Sequence, residues 1–123
     1  MPKYVDGYVI PLPKKNLAEY RRMARLGGRV WRDHGALQYM ECVGEDLAPK
    51  MGFPFPKLVK PKPGETILFS WIVFKSRAHR DRVNAKVIAD PRLAKMMKPG
   101  AMPFDMKRMS YGGFEVLVDA GNA

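Results

Sequence analysis

The run Ile67-Leu68-Phe69-Ser70-Trp71-Ile72-Val73-Phe74 sets the tightest limit on what this chain can become. A strand turns alternate side chains to opposite faces, and here both alternating sets are apolar apart from Ser70. The strand therefore belongs in the interior of a sheet that is shielded from water on both faces. Tyr4 to Leu12 reads the same way, with Tyr4, Tyr8 and Ile10 on one face and Val5 and Val9 on the other. Asp6 interrupts the first of these faces, and Pro11-Leu12-Pro13 is expected to stop the strand, because proline cannot donate to a ladder.

Between these strands the period becomes helical. From Asn16 to Asp33, Leu17, Tyr20, Ala24, Gly27 and Trp31 form one stripe, widened by Met23 and Val30, with Asn16 placed as N-cap. Arg22, Arg25, Arg29 and Arg32 are read as a basic ridge on another face. Gly27-Gly28 marks either close packing or a kink, and Gly35 a stop. Ala36 to Val43 forms a second, more polar strand carrying Glu41. Residues 45–65 hold five prolines and four lysines, and are expected to form a long loop without helix or central strand.

After the third strand, Ser76 caps a helix to about Ala89, with Ala78, Ala85 and Ile88 expected inward. Asp90-Pro91 opens a short helix to about Met97, ended by Pro99-Gly100. Lys107 to Val118 supplies the last strand, where Gly112-Gly113 signals a bulge or a close backbone approach. The order is βαβ-βαβ. Over 123 residues this predicts a single ferredoxin-like α+β domain with an antiparallel sheet and helices on one face only. The other apolar face then needs a cover, and a second copy supplies it, giving a homodimer.

Several strings, in this order along almost the whole chain, resemble the YbaA-like bacterial family of unknown function. They include Tyr4-Val5-Asp6-Gly7, Gly35-Ala36-Leu37, Glu41-Cys42, Phe69-Ser70-Trp71-Ile72, Asp90-Pro91-Arg92, Met102-Pro103-Phe104-Asp105 and Tyr111-Gly112-Gly113-Phe114-Glu115. The resemblance implies a dimeric α+β barrel, a superfamily that also holds cofactor-free monooxygenases, haem-degrading enzymes and muconolactone-type isomerases. It implies no particular activity, since one fold carries many functions.

Asp6 and Glu41 are the candidate catalytic residues. A carboxylate inside an apolar strand is either paired or placed to move a proton, and Arg108 (for Asp6 the first choice) or Arg80 is the expected partner. A pocket between sheet and loop is expected to be lined by Tyr4, Asp6, Tyr8, Ser70, Trp71, Phe104 and Arg108. The methionines from Met96 to Met109 serve as adaptable core or as the wall of an apolar ligand pocket. Such a pocket suits a small apolar or aromatic metabolite. Haem is disfavoured. The first strand offers Asp6 where haem-degrading relatives use Asn, and His79 falls too early in its helix. No zinc or nucleotide-binding motif occurs, so no cofactor and no metal is expected. Cys42 beside Glu41 is a poor nucleophile.

A net charge of +10 leaves RNA as the alternative ligand, bound non-specifically through Arg22, Arg25, Arg29 and Arg32. A non-catalytic dimeric scaffold is the third reading. A lone cysteine fits a reducing compartment, no run reaches the roughly 18 apolar residues of a membrane span, and the N-terminus lacks a signal-peptide core. A cytoplasmic protein is expected.

Overall fold

The computed structural model describes residues 1–97, 100 and 102–121; Pro99, assigned above to a helix end, lies outside them. Among these residues four strands and four α-helices follow in the order β1 (Tyr4–Pro13), α1 (Leu17–Asp33), β2 (Gln38–Val43), α2 (Phe55–Val59), β3 (Glu65–Phe74), α3 (Arg77–Ile88), α4 (Pro91–Met96) and β4 (Ser110–Glu115). The sheet order is β2-β3-β1-β4 and each neighbouring pair is antiparallel. This is the ferredoxin-like βαββαβ arrangement, with the β1 and β3 runs at its centre. α1 and α3 pack on the face that carries Asp6, Ile10, Leu12, Leu68, Ile72 and Phe74, all buried.

β1 ends at Pro13 as expected, although it runs through Pro11. Lys14 N donates to Gly64 O (2.9 Å), and in an antiparallel ladder the donors toward one partner alternate, so Pro11 and Pro13 turn their missing N–H the other way. On that side β4 begins only opposite Val9, so no hydrogen bond is lost. The proline-rich stretch differs from expectation, because it contains α2. Pro54 precedes this helix and Pro56 sits in its first turn, where proline has no intrahelical hydrogen bond to forfeit.

α1 is continuous. Gly27 and Gly28 give close packing, since a Cβ on Gly28 would stand 3.0 Å from Tyr39 Cδ1 and one on Gly27 3.1 Å from its hydroxyl. Gly112-Gly113 likewise stays in register without a bulge, and Gly113 makes room for the ring of Tyr4. The N-cap position of α1 is Asn16, but its side chain leaves the helix and donates to Pro103 O (2.8 Å), tying the last connection to the helix start. Ser76 and Asp90 cap as expected, accepting from His79 N and Arg92 N. Asp90 also accepts from Arg92 Nη2 (2.8 Å) and pairs with His34 (2.8 Å). Arg92 reaches Asp33 as well (2.8 Å), so α4 is locked onto the end of α1.

The inward face of α3 is the main correction. Ala78, Ala85 and Ile88 are exposed, and Val83 and Val87 are buried in the core with Val30, Ile72 and Phe74. The apolar period was misleading because the same inward side also carries Arg80 and Asn84, two polar residues that meet Asp6. Val87→Ala should therefore cost about 2 kcal/mol, the loss of roughly two buried methylenes plus a cavity. Ile88→Ala should stay within about 0.5 kcal/mol of the parent. Urea denaturation of both variants checks the assignment, and the reverse ranking would refute it.

Candidate functional site: a cavity beside Glu41

β2 carries Tyr39 and Glu41 two residues apart, so both point to the helix side of the sheet, where α1 presents Tyr20. The three side chains join. Tyr20 donates its hydroxyl to Glu41 Oε1 (2.8 Å) and Tyr39 donates to Oε2 (2.7 Å). Burial raises both phenol pKa values well above the ordinary 10.0, and the Glu41 charge and hydrogen bonds raise them further. Both phenols thus remain protonated donors throughout the neutral range. Each carboxylate oxygen has two acceptor sites, and one phenol fills only one of them. No ion pair to Glu41 occurs among the described residues.

Behind this bridge lies a cavity of about 140 Å³. Its walls come from α1 (Met23, Ala24, Gly27), the sheet (Tyr8, Ile10, Ser70, Ile72), α4 and the last connection. Met96, Met97, Met102, Met106 and Met109 border it together with Phe104, whose ring meets Tyr20 edge-on at 5.8 Å. The methionine stretch therefore walls a pocket. An engineered cavity of about 150 Å³ with a similarly apolar lining holds benzene, so this one matches a single ring in size.

Of the residues singled out from sequence, Tyr8, Glu41, Ser70, Trp71 and Phe104 border this cavity, and Tyr4, Asp6 and Arg108 do not. Trp71 is divided between two faces: its indole donates to Gln38 Oε1 (3.0 Å) on the helix-free side. Arg108 is not the partner of Asp6. It makes a two-pronged pair with Glu65 (2.7 and 2.9 Å), because it precedes β4 at the sheet end where Glu65 faces Pro13.

Asp6 is fully buried under α3. Asn84 Nδ2 donates to its Oδ2 (3.3 Å), and Trp31 Nε1 donates to Asn84 Oδ1 (3.0 Å). Arg80 Nε lies 3.8 Å from Asp6 Oδ1, with its guanidinium 4.9 Å from the Tyr4 ring centre. Burial raises the Asp6 pKa, and the Arg80 charge opposes that shift. Asp6 does not border the cavity, and its contacts with Arg80 and Asn84 tie it to α3, although its Oδ1 has no hydrogen-bond partner among the described residues.

His79 accepts from the Lys75 amide (3.0 Å) and packs against Phe74, away from the cavity. Arg32 binds the carbonyls of Ala36 and Leu37 (2.8 and 2.5 Å), closing the turn into β2. Arg22, Arg25, Arg29 and Arg32 are all exposed along one side of α1, and Arg25 with Arg21 also lines a second, wider groove between α1 and β2. Sequence reading missed Tyr20, Tyr39 and Arg21. The Tyr39–Glu41 spacing was a usable signal, since both fall on the same strand face. Among the described residues no group of three metal-ligating side chains occurs, and no helix is long and apolar enough to cross a membrane.

Comparison with known proteins adds kinship without an activity. Residues 3–106 match the family model described as "Protein of unknown function (DUF1428)". The chain is 39% identical over 117 residues to the uncharacterized protein YbaA of Escherichia coli strain K12, covering 95% of this chain and 98% of that protein. YbaA of Shigella flexneri matches to the same extent. A crystal structure of a NIPSNAP family protein of unknown function from Agrobacterium tumefaciens shares the fold, with a TM-score of 0.58 and 12% identity over 94% of this chain and 88% of that one. With its family model spanning most of its length and YbaA aligned nearly end to end, the chain belongs to the DUF1428 family, the YbaA-like family of unknown function.

Proposed function

We propose that this protein is a cytosolic homodimer that binds a small, ring-sized apolar or aromatic molecule in the cavity behind Glu41. One observation carries the reading: an apolar cavity of about 140 Å³ has at its wall a carboxylate fixed by two phenols and with acceptor capacity to spare. A ligand O–H, N–H or acidic C–H turned toward Glu41 meets the one charged group that borders that space among the described residues, positioned to accept or exchange a proton. The reading requires no cofactor.

The dimer is supported by the helix-free face of the sheet. Met40, Phe69 and Phe114 remain 40%, 45% and 62% exposed there, beside Phe55 of α2. Following the register, this face from Val5 to Pro11, Gln38 to Cys42, Ile67 to Val73 and Ser110 to Phe114 carries no Lys, Arg, Asp or Glu. Two copies of a +10 chain repel each other except where they meet without charge, and this surface is such a place. The same neutrality counts against RNA. Phe69 and Trp71 lie on a middle strand, as stacking platforms do, but Arg22, Arg25 and Arg29 belong to α1 on the opposite layer. Charge and aromatic rings do not share a face. The cytosolic placement rests on Cys42, the only cysteine of the chain.

Light scattering should give twice the chain mass of 14.0 kDa, and Phe69→Lys should reduce it to a folded monomer. A wild-type monomer at micromolar concentration would contradict the dimer. For the cavity, calorimetry with benzyl alcohol and toluene should show binding of both, the alcohol more tightly. Ala24→Leu, which fills the space from α1, should abolish it while far-UV dichroism stays unchanged. Equal binding by the filled variant would place the ligand elsewhere, and no binding by wild type would leave a structural dimer.

A further inference from the structure

The Tyr20–Glu41–Tyr39 bridge has space on both sides. A second, wider cavity of about 350 Å³ opens to solvent between α1 and β2, and its walls include Tyr20, Ala24, Tyr39 and Glu41, which also border the inner cavity. The two spaces therefore abut at the bridge. The outer one differs in chemistry. Arg21 and Arg25, one helical turn apart on α1, line it, and among the described residues neither has an ion-pair or hydrogen-bond partner. Arg32 is engaged with two carbonyls, Arg80 with Asp6 and Asp81, Arg92 with Asp33 and Asp90, and Arg108 with Glu65. Arg21 and Arg25 join Arg22, Arg29, Arg77 and Arg82 as arginines without such a partner among the described residues, and of these only Arg21 and Arg25 line this groove. Two free guanidiniums beside a cavity mouth make a positive field that a carboxylate fits in a two-pronged fashion.

We infer that the groove lined by Arg21 and Arg25 holds the acidic end of a ligand whose ring occupies the inner cavity, so that the ligand is an arylalkanoic acid or a chemically similar ring-bearing carboxylate. This rests on the reading of the inner cavity as a ring-binding site. The ring lies behind the bridge, the carboxylate pairs with Arg21 and Arg25 in the groove, and the connecting atoms rest against Glu41. The two arginines outweigh the single negative charge of Glu41 at the mouth, and the Glu41 carboxylate is engaged by Tyr20 and Tyr39. A ligand that spans the bridge opens one phenol–carboxylate hydrogen bond; the freed phenol then donates to the ligand carboxylate, and Glu41 keeps its bond from the other phenol. Arg21 and Arg25 act as specificity residues, and the inner cavity accepts a neutral ring without them.

Phenylacetate and the neutral phenylacetamide, of nearly equal shape, separate these roles. Calorimetry on the wild-type protein at low salt should show phenylacetate binding at least tenfold more tightly than the amide. That preference should shrink as ionic strength rises. In the Arg21→Gln/Arg25→Gln double variant the preference should fall to about one, with the affinity for the amide changed less than twofold. Both side chains are exposed, so the variant should fold. Amide binding equal to or tighter than that of phenylacetate in wild type, or a preference that survives the double substitution, would overturn the inference while leaving the ring site standing. Failure of both compounds to bind would refute both readings.

Discussion

Glu41 is the residue on which the helix-side architecture turns. A carboxylate in the edge strand β2, facing a helix over an apolar layer, is tolerable only if its oxygens are hydrogen-bonded. Tyr20 and Tyr39 meet that need, and in doing so they fix the spacing between α1 and β2. Gly27 and Gly28 follow from the same demand, since the Tyr39 ring occupies the place their side chains would take. Helix and strand are bridged here by polar atoms instead of being packed flush, and the spaces on both sides of the bridge are the result.

A second carboxylate meets the same problem only in part: Asp6 Oδ2 accepts from Asn84, while Oδ1 faces Arg80 at 3.8 Å without a hydrogen bond. Asp6 is fully buried and is answered by Arg80 and Asn84 from α3, with Trp31 of α1 attached through Asn84. Losing the partner of a buried charge costs about 3–5 kcal/mol, a large share of a small domain's margin. The network therefore holds both long helices to the sheet. Asp6 is closed off from solvent, and Glu41 borders open space.

The strand patterns of β1 and β3, the helical stripe of α1 and the caps at Ser76 and Asp90 were enough to give the sheet, α1, α3, α4 and their order, but not α2. Signals that depend on side-chain chemistry across elements were not legible. The inward side of α3 carries Arg80 and Asn84, so apolar periodicity pointed to Ala85 and Ile88, which are exposed. Arg108 looked like a partner for Asp6 until the start of β4 opposite Val9 placed it beside Glu65. Proline density argued against α2 because a first-turn proline is compatible with a helix only in a register that the sequence alone left open. For the site, Glu41, Tyr8 and the methionines were legible as interruptions or excesses in a pattern. Tyr20 was read as core packing, and its hydroxyl bond to Glu41 became visible only when α1 was set against β2.

The division between Glu41 and Asp6 is the central claim, and carboxyl carbon NMR addresses each residue separately. With the protein labelled at its Asp and Glu carboxyls and the two signals assigned by Glu41→Gln and Asp6→Asn, benzyl alcohol is titrated in. The Glu41 resonance should move in proportion to occupancy while that of Asp6 stays in place. Movement of Asp6 with a stationary Glu41 would contradict the account, because the ligand would then reach the carboxylate that the structure places out of reach.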